Sequence, residues 1–404
     1  MDVRWLGAAA IGVIGACAWG CQAESSTPLQ LNPSDAGESP DGSPLVTDPS
    51  EGGVPGPDGT TPGGAGCIKD VYGGYALRSD SKVLLADGTT SIVDAESGAT
   101  LANVTSISDD RNHGCAVTSD GSLRCWRTRE SGSNANGQLG NGTKGDTGPI
   151  LRASRVLRAA GTPLTGVAAA GNAAGSYYGN EATCVVGADA KAYCWGDVTW
   201  LTANGSTLTS SYAQEITTDG ASPLTGVKQI AYSTNYACAV VQGAAANEVW
   251  CWGQNGDYNL GQGDTAKRQY PAKVVGLTNP TMVALTHGTT CAIDGGQVKC
   301  WGSNVNGMCG NDGTTSHCPN PIVVLGPGGA PLADATKIVG GDFLLCALRS
   351  GAAWCWGSRY EPHATNIGLP NVVALSSHAV VTDDGSYHPL DNLEKTVTPA
   401  CGAL

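Results

Sequence analysis

The stretch CAIDGGQVKCWG, from Cys291 to Gly302, reads as one complete β-hairpin. Apolar and polar residues alternate on either side of Gly295-Gly296, and adjacent glycines supply the positive φ that both central positions of a tight two-residue turn demand. With that turn, Asp294 faces Gln297, Ile293 faces Val298, Ala292 faces Lys299 and Cys291 faces Cys300. Counted from the pair that closes the turn, the cysteines fall at a non-hydrogen-bonded position. There Cα atoms approach to about 4.5 Å, within reach of a disulfide. The expectation is a hairpin stapled to itself by sulfur.

The pattern recurs along the chain, as YALRSDSKVLL from Tyr75, CAVTSDGSLRCW from Cys115, CVVGADAKAYCWG from Cys184, CAVVQGAAANEVWCWG from Cys238, CALRSGAAWCWG from Cys346 and HAVVTDDGSYHPL from His378. Seven copies, mostly spaced by roughly 50 residues, are the signature of a repeat architecture. The spacing leaves room for two further strands per unit, and VKQIAYSTNYACAV from Val227 and ATKIVGGDFLLCAL from Ala335 supply an incoming one. The expected fold is therefore all-β, a single seven-bladed β-propeller of four-stranded blades over residues 67–404.

The other cysteine pairs obey the same geometry. Ser350-Gly351 sets Cys346 opposite Cys355. Cys115 with Cys125 and Cys184 with Cys194 are one residue further apart, which suits a three-residue loop with Gly121 at its left-handed position; Cys238 with Cys251 carries a larger loop. The competing reading, structural zinc, needs cysteines two to four residues apart, and the repeats hold no such pair.

A second motif follows the hairpins. SNANGQLGNG runs from Ser133 to Gly142, with variants QNGDYNLGQGD from Gln254 and SNVNGMCGNDG from Ser303. Together with the Cys-Trp hairpins it resembles the regulator of chromosome condensation repeat family, over most of the chain from about Cys67 to Cys401. Its glycines permit positive φ while Leu139 or Leu260 packs between blades. In the fifth unit Cys309 takes that place and is paired with Cys318 as a loop staple. The third unit departs from the motif as GDVTWLTANGS, and the first and last show little of it, which leaves blade boundaries open there. The resemblance implies a ring that works by protein contact, in the manner of a secreted bacterial member type that inhibits β-lactamases. Guanine-nucleotide exchange is not carried over, because no motif of that partner surface is matched here. Cys67 and Cys401 bracket the repeats without nearby partners and are expected to clasp the ring, worth about 5 kcal/mol in the chain-entropy model.

The N-terminus points to export. A short start with Arg4 precedes an apolar run from Trp5 to Ala16, too short to span a bilayer and fitting a signal peptide within residues 1–21. Ile14-Gly15-Ala16-Cys17 resembles a lipobox, which makes Cys17 the expected lipidation site; Cys21 is the alternative, and a plain secretory signal is a third reading. Residues 22–66 are rich in Gly, Pro, Ser and Asp, lack Lys and Arg, and read as a disordered linker. Sixteen cysteines, mostly in recurring pairs, fit an oxidising compartment. The expected place is the bacterial cell envelope, lipid-anchored, or outside the cell.

Composition narrows the function. A formal charge of −13 without clustered Lys and Arg excludes a nucleic-acid surface, so the membrane is met only through the lipid anchor. The six histidines, His113, His287, His317, His363, His378 and His388, follow neither triad nor metal spacing. Asp257, Asn259 and Asp264 could hint at calcium but coincide with the repeat's own turn, and the recurring Trp126, Trp195, Trp252, Trp301 and Trp356 fit blade packing better than a sugar site. Aromatics outside the repeat pattern, Tyr177, Tyr178, Trp200, Tyr258, Tyr270 and Tyr360, are the candidate binding residues, because propellers meet partners through loops. The expectation is a monomeric, non-catalytic module without metal or cofactor that recognises a protein or a glycan. The alternatives are a hydrolase or lyase sited at the channel, and a structural envelope component.

Overall fold

The computed structural model describes residues 68–390, apart from 73–74, 79, 86–89, 110–111, 129–133, 146–148, 174–181, 199–208 and single positions at 312, 314, 342, 359, 377 and 385. Cys17, Cys21, Cys67 and Cys401 lie outside the described residues, and with them the expected leader, linker and terminal clasp.

The chain folds as an all-β propeller. Its unit is plainest where Pro280–Leu285, Thr289–Asp294, Gln297–Ser303 and His317–Val323 run antiparallel, each beside the next. The same meander is formed by Val227–Tyr232, Tyr236–Gln242, Asn247–Gly253 and Arg268–Lys273, and by Ala335–Gly340, Leu344–Arg349, Ala352–Gly357 and Thr365–Asn366. Val104–Asp109, His113–Thr118, Leu123–Arg127 and Arg152–Arg155 make another, and Val167–Ala170, Ala182–Gly187, Ala192–Asp197 and Thr209–Glu215 the one after it. Three-stranded sheets stand at the two ends, Ile68–Tyr72, Tyr75–Arg78 and Val83–Leu85, and Val372–Leu375, Ala379–Thr382 and Tyr387–Pro389. Among the described residues the only helical segments are single 3-10 turns at Val305–Gly307 and Pro327–Gly329.

The hairpin register follows the turn chemistry. Asp294 pairs with Gln297 and Cys291 with Cys300, and Gly295 and Gly296 have φ of 61° and 80°. Cys291–Cys300, Cys346–Cys355, Cys115–Cys125, Cys184–Cys194 and Cys238–Cys251 are cross-strand disulfides with Cα atoms 4.0 to 4.2 Å apart, and Cys309–Cys318 closes a loop at 6.7 Å. These are the pairings that hairpin geometry and the loop-staple argument predict.

One recurring feature has no sequence signature. The innermost strand of each meander shifts register between its first and third residues, as at Val104/Ser106, Val227/Gln229, Pro280/Met282 and Ala335/Lys337. Such a bulge bends the strand and increases its twist. Inner strands of successive sheets then lie side by side, and side chains satisfy their otherwise open edges. The Gln229 amide both donates to the Val283 carbonyl and accepts from the Val283 N–H, at 2.7 Å each, and Ser106 Oγ accepts the Ala170 N–H at 3.2 Å. A Cβ at Gly340 would collide with the Leu285 carbonyl, so glycine is needed for that approach. The first and last sheets also meet: Val71 is buried with Ala374, Ala379, Val381 and Tyr387.

Candidate binding face

In a four-stranded meander, the connections from first to second strand and from third to fourth strand emerge at one end. The Asn-x-x-Gly motif lies in the second kind of connection. Its asparagine is the organising residue. Leu139, Leu260 and Cys309 donate their N–H groups to Oδ1 of Asn134, Asn255 and Asn304 at 3.0, 3.0 and 2.9 Å. The same amides donate through Nδ2 to two carbonyls nine and eleven residues on: Thr143 and Gly145, Asp264 and Ala266, Gly313 and Thr315. These asparagines are buried, and their bonds fix long loops that contain little other regular structure.

Each loop is tied to the next sheet by tryptophan. Trp195, Trp301 and Trp356 donate Nε1–H to the carbonyls of Gln138, Asn259 and Met308 at 2.7, 2.9 and 3.0 Å. The five repeat tryptophans are wholly buried, as blade packing requires. His113 is buried too, with Nε2 2.5 Å from Thr183 Oγ1, whose hydroxyl donates to the Gln138 carbonyl. Burial raises the Tyr236 hydroxyl well above the usual phenol range, and that hydroxyl donates to the Thr289 carbonyl at 2.9 Å.

On this scaffold, half-buried and exposed side chains lie on the connections of three successive sheets. Tyr258 is half-buried, its ring 5.7 Å from that of His317. Asp257 Oδ1 lies 3.3 Å from His317 Nε2, and Ser316 Oγ lies 2.9 Å from His317 Nδ1. Gly288 sits between Asp257 and Ser303, and Val305 follows in the same loop, 53% exposed. Beyond it Gly357 lies between Met308 and the backbone of Phe343, the single phenylalanine of the chain, which is 46% exposed.

The sequence-derived candidates are not gathered into one cluster. Tyr177, Tyr178 and Trp200 lie outside the described residues. Tyr360 packs against the core of the last sheets, and Tyr270, on an outer strand, has its hydroxyl beside Gly220. Tyr258 alone of the described three joins the surface above. Val305 and Phe343 escaped the sequence reading, and His317 entered it only among the histidines without triad or metal spacing.

An open cleft of about 490 Å³ lies elsewhere, at the edge strand Val93–Asp94, which pairs in parallel with Arg152–Arg155. Its charges satisfy one another: Arg124 pairs with Asp94, and Arg155 with Glu96 at 2.9 Å. Burial pushes the Asp94 carboxyl up, but the Ser97 N–H, Arg124 and the Ser97 hydroxyl outweigh it and hold the pKa at about 2. The Thr118 hydroxyl and the Ser122 N–H hold Asp120 at about 2 as well. Both folded values are depressed, so the stability these groups contribute is present above the unfolded pKa near 4 and lost as pH falls from about 4 to about 2. Urea unfolding of the protein and of Asp94→Asn should differ at pH 7 and converge only as pH falls to about 2 and below; a difference independent of pH would contradict this account.

These features define a class: a disulfide-stapled β-propeller with rigid, asparagine-organised loops at one end. Residues 247–293 match the model of the regulator of chromosome condensation (RCC1) repeat. The human E3 ubiquitin-protein ligase HERC2 is 27% identical over 219 residues, which is 53% of this chain but 4% of that protein. Human WBSCR16 superposes with a TM-score of 0.52 at 14% identity, covering 70% of this chain and 75% of that one. Prp20p of Saccharomyces cerevisiae gives 0.52 at 14% identity, covering 73% and 76%. The chain is a β-propeller that carries a match to the regulator of chromosome condensation repeat over residues 247–293.

Proposed function

We propose that this chain is a non-catalytic binding module that recognises a protein partner through the surface running from Tyr258 to Phe343. The carrying observation is the exposure of Phe343 and Val305 on connections of neighbouring sheets. Each side chain left exposed forgoes burial free energy in proportion to its apolar area, which an apolar partner surface would recover. A sugar site built from the repeat tryptophans would need them exposed, and all five are buried. Prp20p, of the same fold, has binding properties toward Gsp1p and histones, which are proteins.

The same reading takes the ring as seven-bladed, with the two three-stranded sheets as the blades that meet through Val71 and Ala374. It places residues 1–21 as a leader that leaves Cys17, or Cys21, for lipidation, and residues 22–66 as a tether. The six disulfides favour an oxidising, extracytoplasmic setting. No helix among the described residues is long and apolar enough to cross a membrane.

The test is capture from envelope extracts with the wild-type chain and with Phe343→Asp, quantified by mass spectrometry. A partner retained by the first and reduced tenfold or more by the second, at unchanged melting temperature, is the expected result. Equal capture by both removes this face from the function.

A further inference from the structure

We propose that the corner formed by Asp257 and Tyr258 seats a basic side chain, arginine or lysine, of the protein partner; this rests on the binding-face reading above and specifies its chemistry. The first observation is backbone conformation. In the sibling loops the position of Tyr258 is taken by Gly137 and Gly307, with φ of 88° and 71°, and Tyr258 adopts φ 64° in their place. Bulky L residues avoid this region, and such outliers persist where the side chain is put to use.

The second observation is space. A Cβ at Gly137 would lie 2.8 Å from Ser211 Cα, and one at Gly307 would strike Pro362, because the next sheet closes over the loop. At Tyr258 the side chain is accommodated, its ring 5.7 Å from that of His317 on the next sheet. Gly288 completes the cradle: a Cβ there would lie 3.0 Å from Asp257 Oδ2.

The third observation is charge. The Asp257 side chain is 49% exposed, with Oδ1 3.3 Å from His317 Nε2, whose ring also meets that of Tyr258. Arg268, in the same loop, is already tied to Asp264 at 2.6 Å and to the Ala266 carbonyl at 2.7 Å. A carboxylate next to an aromatic face combines ionic and cation–π attraction, and guanidinium suits both. The chain's formal charge of −13 favours encounter with a basic partner. Val305 and Phe343 extend the surface, so the segment recognised carries a basic residue close to an apolar one.

A phage-displayed random peptide library, selected on the full chain, tests this, with fluorescence anisotropy of the selected peptides as the readout. Enrichment of Arg or Lys beside a bulky apolar residue is expected. Binding should fall about tenfold or more with Asp257→Asn and with Tyr258→Gly, and be kept by Tyr258→Phe. Glycine is the residue of the sibling loops, so Tyr258→Gly retains the fold, as a thermal melt would check. Peptides without basic residues, or peptides indifferent to both Tyr258→Gly and Asp257→Asn, overturn the inference. If such peptides still lose affinity with Phe343→Asp, the wider reading of the face stands; if they do not, both fall. No enrichment at all, or Tyr258-dependent binding of neutral oligosaccharides on a glycan array instead, also overturns it.

Discussion

Trp301→Ala is expected to destabilise the protein by about 4 kcal/mol, the largest effect of any single substitution considered. The indole is wholly buried in a core cluster with Leu260 and Trp252, and its Nε1–H bonds the Asn259 carbonyl across the seam between two sheets. Cavity formation accounts for most of the cost, because the Asn259 carbonyl keeps a second donor, Thr290 Oγ1 at 2.8 Å. Trp301→Phe retains much of the volume and loses the donor, so about 1–2 kcal/mol is expected for it. Urea denaturation measures both, and hydrogen exchange at the Leu260 and Gly261 amides should report that this seam opens before the rest. A loss below about 1 kcal/mol for the alanine variant would mean that the sheets are not held by the tryptophan locks.

The second large effect belongs to the staples. Replacing Cys291 and Cys300 together by Ala is expected to cost about 3 kcal/mol, the chain-entropy value for a loop of roughly ten residues. The pair is separated by 9 residues and both sulfurs are buried. Reductant alone should therefore leave this bond intact in the folded protein and break it only once the hairpin opens, because exchange requires access for the attacking thiolate. Intact-mass analysis after reductant and alkylation, with and without urea, distinguishes the cases. Rapid reduction in native buffer would show that the sheet opens locally far more easily than its packing implies.

The hairpins were legible because their causes are local. A Gly-Gly or Ser-Gly turn and strict alternation set the register of Cys291 against Cys300 and of Cys346 against Cys355 without reference to the rest of the molecule. The role of Leu139 and Leu260 could also be inferred, since an apolar residue in a glycine-rich turn must pack somewhere. The binding surface was legible only in part. Tyr258 stood out as an aromatic in a connection, but so did Tyr360, which the structure uses as packing, and Tyr270, which it places on an outer strand. A tyrosine in a loop has the same appearance in sequence whether a neighbouring sheet covers it or not.

What the chain determined by itself is the repeating unit: turn residues, two-residue periodicity and cysteine spacing all act within one hairpin, over distances the local backbone controls. What only the tertiary structure decided is which loop side chains remain open. That depends on what the next sheet places against each loop, as when Ser211 and Pro362 cover the positions of Gly137 and Gly307 while Tyr258 meets the ring of His317 and stays half-buried. The approach is set by the bulged inner strands and the tryptophan locks between sheets, contacts between residues some fifty positions apart that no local pattern encodes.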